Sequence, residues 1–175
     1  MNMPARFLAS CFLSLLLSSL LFNEAHADAP LPAPAKTVFN SNNNRVQLIS
    51  DPALGSKVID QKNKNKVLWT LSSWFRLAFI SDDGEYAVTV YDGLNLIPED
   101  YSDDLIMLSF WQRGKLLHKV RLKEIAPGKH LLRKTASHYA WGHFRGIDEE
   151  NKFVLERTDG KLLYFDIRTG KMSGN

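Results

Sequence analysis

The sequence predicts an all-β protein built from repeated hairpins. From Thr37 onward, short runs rich in Val, Ile, Leu, Phe, Tyr and Trp alternate with Gly, Asn and Asp, the signature of strands joined by tight turns. No window of a dozen residues carries a 3.6-residue apolar period, which argues against long amphipathic helices. One polar turn pattern also occurs three times along the chain, so the hairpins read as copies of one unit.

The chain opens on a different signal. Arg6 precedes an apolar run over 7–22 that is broken only by serines and Cys11, and Ala25-His26-Ala27 supplies a small-x-small site. This reads as a secretory signal peptide over 1–27, cut before Asp28. The run is shorter than the roughly 20 residues that cross a bilayer, so no membrane span is expected. Leu8-Ala9-Ser10-Cys11 matches a lipoprotein cleavage pattern, but most of the apolar segment follows the cysteine rather than preceding it. Cys11 is therefore read as part of the leader, and the mature protein is expected to be soluble in the periplasm or outside the cell.

Cleavage leaves 148 of the 175 residues, one domain's worth. The mature chain has no cysteine, which excludes disulfides, a thiol nucleophile and cysteine-ligated metal. The formal charge is +3, with both signs mixed nearly everywhere. The one basic cluster, K-V-I-D-Q-K-N-K-N-K at 57–66, reads as a solvated hairpin turn, and no nucleic-acid partner is expected.

In order, D-A-P-L-P-A-P-A-K at 28–36 is expected to be an extended, disordered tether. A single β-repeat domain then fills 37–175. Strands are expected at 45–50, 66–71, 76–80, 86–91, 105–111, 115–122, 153–157 and 162–167. One or two helical turns are expected at 122–126, stopped by Pro127-Gly128.

The repeated unit reads S-N-N-N-R-V-Q-L at 41–48, S-D-D-G-E-Y-A-V at 81–88 and D-E-E-N-K-F-V-L at 148–155. Its fourth position is Asn or Gly, residues that accept positive φ at little cost. Asn44, Gly84 and Asn151 are thus expected in equivalent turns, with Val46, Tyr86 and Phe153 equivalent in the following strands. A second Asn/Gly-Lys turn follows each copy, at Asn65, Gly114 and Gly170. The segments A-F-I-S-D-D-G-E-Y-A-V (78–88) and D-G-K-L-L-Y-F-D-I-R-T-G-K (159–171) resemble blades of WD-repeat or quinoprotein-type β-propellers. That resemblance implies that the D-G turn joins the first two strands of a blade and T-G-K the last two. The chain departs from it in lacking the Trp-Asp signature and in spacing its turns 40 and then 67 residues apart. At about 40–45 residues per blade it holds about three, fewer than the four to eight of closed propellers. The expected architecture is therefore about three blade-like repeats in a partial propeller, an open stack of antiparallel sheets or a sandwich.

Two insertions interrupt the repeats. Over 92–104, Glu99, Asp100, Asp103 and Asp104 make an oxygen-rich loop without EF-hand spacing. It reads as a solvated lid folded back by Leu94, Leu96, Ile97 and Tyr101. Over 123–143, His130, His138 and His143 accompany Lys134, Tyr139 and Trp141. Histidines eight and then five residues apart match no zinc signature, so no metal and no cofactor are expected. Tyr139 and Trp141 are expected to pack on a strand face, with the histidines at the surface. Asp82 and Asp83 fall in a turn, where carboxylates are solvated rather than tuned as an acid–base pair. No nucleophile motif or phosphate loop is present, and no catalytic residue is assigned. Trp74, beside Phe75 at a junction between strands, is placed to meet a sugar ring or a peptide.

The sequence thus points to a secreted, non-catalytic binding or scaffold protein. Its candidate ligand-binding residues are Trp74, His130, His138, Tyr139, Trp141 and His143. The alternative is an envelope hydrolase or metal-binding enzyme built on the histidine-rich insertion. The third repeat reads without its last strand, so the strand at 162–167 is expected to be a bare edge open to an envelope protein or a second copy.

Overall fold

The structure is a computed structural model that describes residues 30–173. The leader expected at 1–27, together with Asp28 and Ala29, lies outside the described residues. The fold is all-β, with antiparallel sheets of which none closes into a barrel. The first sheet is a four-strand meander of β1 (Thr37–Asn40), β2 (Val46–Asp51), β3 (Gly55–Asp60) and β4 (Lys66–Leu71). The second begins with β5 (Ala78–Ile80) and β6 (Tyr86–Val90), is interrupted by β7 (Leu96–Pro98), and resumes with β8 (Ile106–Gln112) and β9 (Lys115–Arg121). A single helical turn, α1 (Leu122–Ile125), follows, then a 3-10 turn at Lys129–Leu131 and the short strands β10 (Arg133–Lys134) and β11 (His138–Ala140). The third sheet is β12 (Gly142–Ile147), β13 (Lys152–Arg157) and β14 (Leu162–Asp166). The two insertions meet as a small fourth sheet in the order β10-β11-β7.

The second sheet is the middle layer. Ala78, Ile80 and Ala87 face Val46, Leu48, Val58 and Trp69 of the first sheet. Val88, Val90, Phe110 and Val120 face Phe153, Leu155, Leu163 and Phe165 of the third. Alternation along a strand sends Ala87 and Val88 to opposite faces, and burial on both faces explains why β6 reads Y-A-V-T-V, with no charged residue. Helix α1 sits where expected, with the Glu124 carboxylate accepting the Arg121 N–H at 2.7 Å and Leu122 and Ile125 buried.

The three turns are built alike. Asn44, Gly84 and Asn151 all adopt positive φ, at 54°, 75° and 60°. Each donates its N–H to the carbonyl three residues back, at Ser41, Ser81 and Asp148. In the first two, a buried serine hydroxyl donates to an Asx side chain (Asn43, Asp83) and accepts the N–H of the next strand (Val46, Tyr86). In the third, the Asp148 carboxylate accepts both the Glu150 and Lys152 N–H groups. That turn is also one residue tighter. Ser41 and Ser81 close on Val46 and Tyr86, whereas Asp148 closes on Lys152, so Lys152 rather than Phe153 is the positional equivalent.

Three further expectations change. The basic cluster is not all turn: Val58, Ile59 and Asp60 are buried in β3, and only residues 61–65 remain outside strands. The edge of β14 is partly covered by the chain itself. Met172 bridges Phe165, the Asp166 N–H donates to Lys171 and the Ser173 N–H to Tyr164, all on the half of the strand nearer Asp166. Finally, residues 30–36 run extended and exposed, but they are anchored to the body rather than free.

Candidate functional site

In a meander, successive turns fall at alternate ends of the strands. The β1–β2, β5–β6 and β12–β13 turns share one end, and their residues surround a cavity of about 580 Å3 lined by Asn42, Asp82, Asp83, Asp148, Glu149 and Asn151 among others. The Asn42 amide and one oxygen each of Asp82, Asp83 and Asp148 hold the turns together. Asn42 donates to the Ile147 carbonyl at 2.7 Å, and Asp82 accepts the Asn43 N–H at 2.8 Å. Asp83 and Asp148 each accept two hydrogen bonds from their own turns. This end is a junction of three sheets.

The opposite end carries both insertions and the start of β1 and β5. Trp74 and Arg76 lie two residues apart on the bent connection from β4 to β5, and their side chains meet. The Arg76 guanidinium stands 5.1 Å from the centre of the Trp74 ring. It is fixed from the other side by Asp92, donating to the side chain at 3.0 Å and to the carbonyl at 3.1 Å. Only 11% of the Arg76 side chain is exposed. The Trp74 indole donates to the Ala35 carbonyl at 2.9 Å, and Arg76 donates to the Pro32 carbonyl at 2.7 Å. The first tether residues then close one wall of a cavity of about 510 Å3 formed with Tyr91, Gly93, Leu96, Pro98 and His138. Its lining is mainly apolar, with the Tyr91 hydroxyl and the His138 imidazole as polar groups. Burial, and secondarily the Asp92 charge, push the Tyr91 hydroxyl above its ordinary pKa, so it stays a neutral donor and acceptor.

Of the residues singled out by sequence, Trp74 and His138 reach this region. Tyr139 lies beneath it, 9% exposed, edge-on to Tyr101 with ring centres 5.8 Å apart. The Lys129 and Lys134 ammonium groups stand 4.8 and 4.9 Å from its ring centre. Lys134 also pairs with Glu99, which holds that carboxyl below its usual range. Trp141 is no ligand surface. It is fully buried, its indole donates to the Leu94 carbonyl at 2.7 Å, and Phe144 packs against its ring at 5.3 Å. His130 is exposed on the 3-10 turn, and His143 is exposed on β12 opposite Glu156. Among the described residues, no group of three or more His, Cys, Asp or Glu is placed to hold a metal ion.

Sequence reasoning overlooked Arg76, Tyr91 and Asp92. The usable signal was the Trp-x-Arg alternation just before a strand, which sets a ring and a guanidinium side by side. No protein-family model matches this chain, and no curated protein matches its sequence.

Proposed function

We propose that this protein is an exported, non-catalytic binding module whose ligand seat is the cavity between the tether and the two insertions. The observation that supports this reading is the cavity's make-up: about 510 Å3 of mainly apolar wall that also includes Tyr91 and His138, the usual constitution of a small-molecule or peptide pocket. Export rests on the leader, with the mature chain beginning at Asp28. Among the described residues no helix is long and apolar enough to cross a membrane. Pairing with an envelope protein or a second copy along β14 belongs to the same reading, entering at the Leu162 end because Lys171 and Ser173 already bond to Asp166 and Tyr164.

The test uses the exported protein, its N-terminus verified as D-A-P-L-P, and anilinonaphthalene sulfonate as an apolar probe. The native protein is expected to bind the dye with a blue-shifted emission, and Leu96→Trp, which fills the cavity, to abolish the signal while circular dichroism stays native. Dye binding that Leu96→Trp leaves unchanged refutes the cavity as the seat.

A further inference from the structure

The segment seated on Trp74 and Arg76 has an unusual constitution. Pro30, Pro32 and Pro34 alternate with Leu31 and Ala33. Each proline fixes its own φ near −65° and lacks an N–H, and each residue before a proline is driven out of the helical region. The stretch is therefore held in an extended, polyproline-II-like form by covalent geometry alone. With three alternate proline nitrogens unable to donate, it cannot pair with strands on both sides. What it presents is carbonyl oxygens, and in a helix of three residues per turn those of residues i and i+3 point the same way.

The two carbonyls gripped by the body are Pro32 and Ala35, three residues apart. The two grips are an indole N–H and a guanidinium, groups that donate and never accept. They are stacked on each other, and Asp92 holds the guanidinium in place. Both bonds go to main-chain oxygens, so the surface reads backbone conformation rather than particular side chains. An aromatic-lined donor pair against a proline-rich strand is a recurring mode of peptide recognition. The occupant is exposed from Pro30 through Lys36, so little apolar surface holds it down and exchange is cheap.

We infer that the Trp74–Arg76 surface is a reading groove for proline-rich segments of another protein, closed in this structure by the chain's own P-L-P-A-P-A. The inference rests on the binding-module reading and names its ligand class: an extended peptide rich in alternating prolines, entering in place of residues 30–35 and extending along the apolar cavity that Pro30 and Leu31 now border. A segment tethered in cis competes at an effective concentration in the millimolar range, so the native chain is a weak binder until that segment is displaced.

The experiment uses the full exported chain and a fluorescein-labelled peptide, A-P-L-P-A-P-A-K, read by fluorescence anisotropy. The variant Pro30→Gly, Pro32→Gly, Pro34→Gly keeps the chain length but removes the stiffness of the cis segment. It is expected to bind the peptide roughly tenfold more tightly than the native chain. Adding Trp74→Phe or Arg76→Gln to that variant is expected to weaken binding several-fold, and a peptide with glycine for every proline should not bind. Peptide-reversible dimers of the native chain at high concentration would also support the groove, as the segment exchanging between copies. Absence of peptide binding to the triple variant, or binding that survives both Trp74→Phe and Arg76→Gln, overturns the inference. Retained dye binding in the same sample shows that the cavity reading stands without it.

Discussion

Trp141 offers the sharpest test of how the insertions are held. Its indole donates to the Leu94 carbonyl at 2.7 Å, and its backbone N–H donates to the Asn95 carbonyl at 3.2 Å. One buried residue thus pins the turn that leads into β7. Trp141→Phe keeps the backbone bond and most of the packing but leaves the Leu94 carbonyl without the indole donor. An orphaned polar group costs about 1–3 kcal/mol. Trp141→Ala adds a cavity among Ile97, Tyr139 and Phe144, for a total of about 3–5 kcal/mol. In a domain of this size each kcal/mol moves Tm by about 2–4 °C. Equilibrium urea unfolding followed by far-ultraviolet circular dichroism measures both variants, with Trp74→Phe as the surface comparison, expected to cost less than about 1 kcal/mol. Hydrogen exchange supplies the location, since amides of β7 and β11 should lose protection in Trp141→Phe before those of the three large sheets. If Trp141→Phe is no more costly than Trp74→Phe, or if protection falls evenly across the molecule, the indole is not the pin and the reasoning fails.

Two further outcomes follow from the turns. Gly84 and Gly160 both hold positive φ, at 75° and 84°, yet a Cβ on Gly84 would lie 2.6 Å from Leu68 Cδ1 and 3.1 Å from Val46 Cγ1, whereas one on Gly160 meets nothing within 4 Å. Alanine at either position incurs the left-handed strain of about 1–2 kcal/mol, so Gly84→Ala should exceed Gly160→Ala by a further 1 kcal/mol or so of overpacking; equal urea midpoints would remove the packing argument. Asp159, bonded first of all by Arg157, has its pKa lowered to about 2. A depressed folded-state value means that its stabilisation is fully present above the unfolded carboxylate pKa near 3.9 and is lost as pH falls through about 2. The difference in urea midpoint between native and Asp159→Asn protein should therefore hold from neutrality to about pH 4 and shrink towards pH 2, and a difference that ignores pH would refute the ion pair as its source.

The repeat was legible because its determinants are local. A positive-φ residue, an Asx or Ser side chain that bonds its own loop and an apolar strand all lie within eight residues, and the structure gives all three turns that form. The one-residue tightening at Asp148 was not legible, because it depends on a carboxylate doing the work that Ser41 and Asn43 share elsewhere. Strand β3 was hidden for a different reason. Its lysine at 57 points outward beside buried Val58, and the lysines that follow at 62, 64 and 66 made a mostly buried strand look like a polar loop. Short strands β7 and β11 have no signal of their own, since they exist through pairing between two insertions far apart in sequence, and the two-residue β10 only extends that sheet from β11. Trp141 was read both as packing on a strand face and as a candidate ligand residue; its burial agrees with the first, and only the fold supplies the Leu94 carbonyl that its indole bonds.

The two ends of the stack divide the labour between them. At the turn end, side chains from the three turns bond across sheets, with Asn42 reaching Ile147 and Asp82 reaching Asn43, and the Trp69 indole reaches the Gly84 carbonyl at 2.6 Å. A ligand that took those same donors and acceptors would loosen the junction that sets the sheets in order. At the loop end, the connecting segments are long and the cavity wall is mainly apolar. Arg76 and Trp74 grip main-chain oxygens of an exposed segment, which can leave without uncovering the core. A protein whose middle sheet is buried on both faces already has its stability, so the loop end is free to exchange one proline-rich strand for another.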